Sequence, residues 1–73
     1  MTLMPYLMPP VWEKAEDGRP VSCVEKIKVL NQNYQELLEG VRDAIDDCVL
    51  MGGSEAQMRL ALRNMVEAVE ASF

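Results

Sequence analysis

The sequence predicts an all-α fold: a helical hairpin of two antiparallel helices with an extended, Pro-rich N-terminal arm, dimerising into a four-helix bundle. Three observations carry that expectation. Ser22-Cys23-Val24-Glu25 and Ser54-Glu55-Ala56-Gln57 both have the capping-box form, in which a Ser and a Glu or Gln three residues on satisfy N–H groups that a helix start leaves orphaned. Gly52-Gly53 lies between them, and glycine takes the left-handed position beyond a helix end without strain. Apolar residues after each cap recur at alternating intervals of three and four, the seam of paired helices.

Residues 1–20 form the arm and hinge. Pro5, Pro9 and Pro10 favour extended geometry and push the residues before them out of the helical region. A disordered tail is poor in large apolar side chains, yet this segment holds Tyr6, Leu7, Met8, Val11 and Trp12. Glu13 to Pro20 is polar and turn-rich, with a reversal expected at Asp17-Gly18. Residues 21–73 form the hairpin. Its first helix is expected from about Cys23 to Met51, with a seam through Ile27, Leu30, Tyr34, Leu37, Val41, Ala44, Cys48 and Met51. A parallel line runs through Val24, Leu38, Ile45 and Val49, so the stripe is wide enough for two neighbours. Of these, Leu37, Val41, Ala44 and Cys48 are expected to meet helix two, and Leu38, Ile45 and Val49 a second protomer. Helix two is expected from about Glu55 to Ser72, with Met58, Leu62, Met65 and Val69 on its seam.

The helices are unequal in expected length, at roughly 43 Å against 27 Å. About 16 Å at the start of helix one is therefore left for something else to cover. Val24, Ile27, Val29 and Leu30 lie there, and either the arm folds back onto them or another chain does. Two polar or small positions within the helix stay open to two readings. Asn31 either fixes the register of a helix pair or is solvated. Gly40 either bends the helix or, the favoured reading, admits the backbone of a neighbour.

Composition narrows function. A chain of 73 residues buries too little surface for easy stability, so such chains lean on metals, disulfides or partners. No His is present. Cys23 and Cys48 sit at opposite ends of the first helix, roughly 37 Å apart, far beyond bridging range. Two lone thiols suit a reducing compartment, and association is the remaining aid. A net charge of −5 argues against nucleic acid, which wants a basic face. No apolar run approaches a membrane span, and Met1 to Trp12 carries no Lys or Arg and does not resemble a signal peptide. A cytoplasmic location with neither membrane nor nucleic-acid partner is the expectation.

The sequence shows no His base, no Gly-rich phosphate loop and no nucleophile elbow. No catalytic residue, cofactor or metal is therefore assigned. Asp43, Asp46 and Asp47 are read as forming ion pairs with Arg59 and Arg63 across the hairpin, ahead of holding a cation. The expected function is a small non-catalytic protein–protein interaction module, an accessory subunit or regulator of a larger enzyme or complex, and a homodimer. Its partner-binding residues are Tyr6, Leu7, Met8 and Trp12 in the arm, Ile27 and Leu30 at the open helix end, and Leu38, Ile45 and Val49 on the outer line. The alternative is a thiol-based redox or metal-handling accessory acting through Cys23, which is expected in the first helical turn, beside unpaired backbone N–H groups. A weaker third reading is a regulator that mimics nucleic-acid charge. It requires a negative surface on one face, against which Lys26, Lys28, Arg59 and Arg63 count.

Overall fold

The structure is a computed structural model that describes residues 8–73. It holds two helices and, among the described residues, no strand: α1 is Val24–Leu50 and α2 is Glu55–Ala68. This is the helical hairpin read from the sequence. The chain divides into two units, Met1–Leu38 and Glu39–Phe73, and each has its own cover over part of α1.

In the first unit the chain reverses between Trp12 and Val21. Glu13 and Pro20 form an isolated antiparallel bridge, flanked by hydrogen bonds from Lys14 N to Arg19 O and from Val21 N to Trp12 O, each 2.8 Å. Pro20 has no N–H to give, and this bridge asks for none, because both ladder bonds come from the neighbouring residues. The reversal falls at the expected place. Gly18 has φ 72°, its N–H donates to Lys14 O at 2.9 Å, and Asp17 Oδ1 accepts from Arg19 N at 3.0 Å.

This reversal also displaces the start of α1. The N–H of Val21 is committed to Trp12 O, and residues 21–23 lie outside the helix. The first helical bond runs from Ile27 N to Cys23 O at 3.0 Å. Cys23 therefore stands at the cap, one residue later than the Ser22 expected there, and Glu25 is no longer the third residue of a capping box.

In the second unit α1 ends as a Schellman motif. Gly53 N donates to Cys48 O at 2.8 Å, Gly52 N donates to Val49 O at 3.1 Å, and Gly52 takes φ 81°. Ser54 then caps α2, its Oγ accepting from Gln57 N at 3.1 Å, as its place in the sequence predicts. Helix α2 is shorter than expected, ending at Ala68 rather than Ser72, with Val69 extended (ψ 130°) as its C-cap. The apolar seam continues through Val69, but Glu67 and Glu70 put negative charge at the negative end of the helix dipole. Residues 69–73 are all exposed, so no packing offsets that cost.

Gly40 corrects a second expectation. A Cβ built there meets nothing within 4 Å, so close backbone packing within the chain is not its role. Gly40→Ala is expected to raise stability by about 0.5–1 kcal/mol, the helix propensity difference, read as a higher midpoint in urea. A fall would mean that a second polypeptide approaches the backbone at Gly40.

Nothing is fully buried. Among the described residues no apolar or polar residue reaches the interior of a core. Half-buried positions include Ile27, Leu30, Asn31, Tyr34 and Leu38 on α1 in the first unit, and in the second Ala44, Ile45 and Cys48 on α1 with Met58 and Leu62 on α2. The two lines predicted on α1 are consequently not divided as expected. Leu37 is 69% exposed and Val41 38% exposed, while Leu38 and Ile45 are half-buried.

Candidate functional site

In the first unit Trp12 is the centre of the arm's contact with α1. Its indole Nε1–H donates to Asn31 Oδ1 at 2.6 Å. Its ring meets Tyr34 edge-on, with centroids 6.2 Å apart and planes at 71°, the arrangement that aromatic quadrupoles prefer. Asn31 and Tyr34 are three residues apart and so lie on one helix face, the face of Ile27 and Leu30, both half-buried. Within one chain, Trp12 packs against its own helix α1. The bond from Val21 N to Trp12 O ties this residue to the chain just before α1. Asn31 is half-buried and serves here as the acceptor that a half-buried indole needs. The signal was present in the sequence, since the single Trp requires an acceptor and Asn31 is the polar residue beside Leu30.

The other expected partner-binding residues are scattered. Tyr6 and Leu7 lie outside the described residues. Met8 is exposed, Leu38 and Ile45 are half-buried within the chain, and Val49 is 51% exposed. Three apolar side chains that the sequence reading placed on a helix seam are open instead: Met65 at 54%, Val69 at 71% and Met51 at 88%. Leu60 and Val66 of α2 and Leu50 at the end of α1 are also at least half exposed.

Charge is segregated on α1. Glu25, Glu36, Glu39, Asp43, Asp46 and Asp47 fall within a sector of about 100° at the α-helical repeat. The stripe from Leu30 through Tyr34, Val41, Ile45 and Cys48 lies opposite. The expected ion pairs across the hairpin do not form. Arg59 Nε binds Glu55 Oε2 at 3.0 Å, one turn back in its own helix, because an i,i+4 partner is held in reach by the helix itself. Among the described residues no group of three or more His, Cys, Asp or Glu converges to hold a metal ion.

Cys23 is exposed and borders an open depression of about 640 Å³ between the reversal and the start of α1, where Lys14 and Lys26 also stand. Cys48 is half-buried. Its thiol donates to Ser54 O at 3.4 Å, so it holds the turn. No described helix is long and apolar enough to cross a membrane. The chain matches no protein-family model, no curated protein and no solved structure.

Proposed function

We propose that this chain is a non-catalytic protein–protein interaction module, an accessory subunit or regulator whose apolar helix faces are completed by another polypeptide. The observation that carries the reading is that no described residue is buried, while apolar side chains of both helices stand open beside half-buried ones. Apolar surface left exposed at this density marks an interaction site, and a folded chain without a core gains its missing burial by association. The four-helix bundle of two hairpins is one form of this reading, and docking on a larger complex is the other. The arm's role is to close its own end of α1, which leaves the hairpin end for the partner.

A photo-crosslinking residue at Met65, on the open α2 face, is expected to give a covalent protein adduct in cells. The same residue at Glu36, on the acidic face, is expected to give none. Failure at Met65 would contradict the reading. Adducts from Glu36 instead would favour the charge-mimic alternative, whose one supporting observation is the acidic sector of α1. Lys28 within that sector dilutes it.

A further inference from the structure

We propose that Asp17-Gly18 is a site of spontaneous covalent modification, where aspartate rearranges to isoaspartate and loosens the hold of Trp12 on α1. The position combines a reactive pair with an open turn. Glycine has no Cβ to shield its own nitrogen, and at Gly18 the space where one would stand is empty within 4 Å. Both residues are exposed. The carboxyl of Asp17 is folded back over the turn, with Oδ1 accepting from Arg19 N at 3.0 Å, the local bond that aspartate favours in reversals. The ring closed by that bond runs through the Gly18 nitrogen, so the carboxyl stays beside the atom that attacks it. Asp43, Asp46 and Asp47 lie instead within α1. They precede Ala44, Asp47 and Cys48, whose side chains shield the following nitrogen.

The rearrangement needs only water. In the acid form of Asp17 the Gly18 nitrogen attacks Cγ. The N–Cγ bond forms, the Cγ–OH bond breaks, and the hydroxyl leaves with the amide proton as water. Hydrolysis of the cyclic imide then adds one water across either C–N bond. Opening at Cγ restores aspartate. Opening at the main-chain carbonyl leaves the backbone running through Cβ and Cγ, one carbon longer, with a free carboxylate beside it. That carbon enters a loop whose ends are fixed, from Gly18 N to Lys14 O at 2.9 Å and from Lys14 N to Arg19 O at 2.8 Å. Both rings contain the lengthened link, so neither keeps its present register. Beyond them lie the bridge of Glu13 with Pro20 and the bond from Val21 N to Trp12 O. With that ladder displaced, the indole is left with its bond to Asn31 and its ring contact with Tyr34 alone. This site does not depend on the interaction reading above, and either can fail without the other.

The test is prolonged incubation of the full chain in heavy-oxygen water, with peptide mapping by mass spectrometry, because either opening of the imide leaves one solvent oxygen on the residue. Heavy oxygen is expected to accumulate at Asp17 and at none of Asp43, Asp46 and Asp47. Asp17→Glu, which would have to close a larger and slower-forming ring, is expected to take up several-fold less. The isoaspartate form, separated from the parent, is expected to show a red-shifted emission from Trp12, the one tryptophan of the chain, as the indole gains water. No uptake at Asp17 over a period in which the urea-unfolded chain acquires it would overturn the proposal, because the turn would then protect the pair. Equal uptake at the aspartates of α1 would overturn the selectivity of the site. An isoaspartate form with unchanged emission would overturn the release of Trp12.

Discussion

Trp12→Ala is expected to lower stability by about 2–3 kcal/mol, the largest effect of any single truncation in the first unit. The substitution removes a hydrogen bond, typically about 1 kcal/mol, and an edge-to-face ring pair of about 0.5–1.5 kcal/mol beyond area burial. It also leaves Asn31 Oδ1 without its donor at 2.6 Å. Because no core lies behind these residues, few other contacts compensate. The measurement is urea unfolding followed by far-UV circular dichroism. Asn31→Ala should cost about 1 kcal/mol. In the double variant the two losses should fall short of additivity by a similar amount, since both act through one bond. Additive losses would show that the indole and the amide do not communicate. Trp12→Phe separates the terms further, keeping a ring against Tyr34 while removing the Nε1–H donor.

The second large effect is expected at the hairpin turn. A Cβ on Gly53 would lie 2.7 Å from Cys48 Sγ and 3.1 Å from Cys48 O. The thiol is able to rotate only by giving up its bond to Ser54 O. The carbonyl cannot move without loosening the bond from Gly53 N that closes the helix end. Gly53→Ala is therefore expected to cost about 1–3 kcal/mol, as overpacking does elsewhere. Adding Cys48→Ala should return part of that loss by removing the sulfur while the carbonyl contact remains. Gly52→Ala acts by a different route. Its φ of 81° is open to glycine at no cost and to alanine only at about 1–2 kcal/mol, although space around it is free. A pair of variants with equal losses but unequal rescue by Cys48→Ala distinguishes crowding from backbone strain.

What the sequence made legible was local. Ser54 and Gln57 meet through a bond spanning three residues, and Gly52-Gly53 closes a helix through bonds spanning three and five, so spacing alone was enough to place both. The expectations that failed depended on distant partners. Ser22 lost the cap because Val21 is held by Trp12, nine residues away. Asn31 found its role through the same residue, nineteen positions away. Arg59 chose Glu55 over the aspartates of α1 because a neighbour one turn away in its own helix loses less conformational freedom on pairing. Heptad spacing could not decide between the Leu37 and Leu38 lines, since Leu37 and Ala44 on the one and Leu38 and Ile45 on the other both recur after seven residues. The choice fell to tertiary contacts that no periodicity encodes. The end of α2 was misplaced for a related reason: Val69 continues the seam, and only the unfavourable Glu67 and Glu70 marked the stop.

For the candidate surface the same division holds. The sequence placed on α1 an apolar stripe wide enough for two neighbours and led us to expect a second protomer along one side of it. It did not show that the arm closes part of this stripe in cis, nor that Met65 and Val66 stay open. Cys23 remains an exposed thiol at a helix cap, and Cys23→Ser is expected to leave association unchanged when measured by sedimentation equilibrium.

The central claim is that the described residues build no buried core of their own and that the chain is completed by association. The most direct test is the thermal midpoint of the full chain, followed by circular dichroism, as a function of concentration. Mass action makes the midpoint of an associating chain rise with concentration. The account predicts a steady rise of several degrees for each tenfold increase, reversible on dilution. A sharp, cooperative transition at one temperature across the whole range would contradict it.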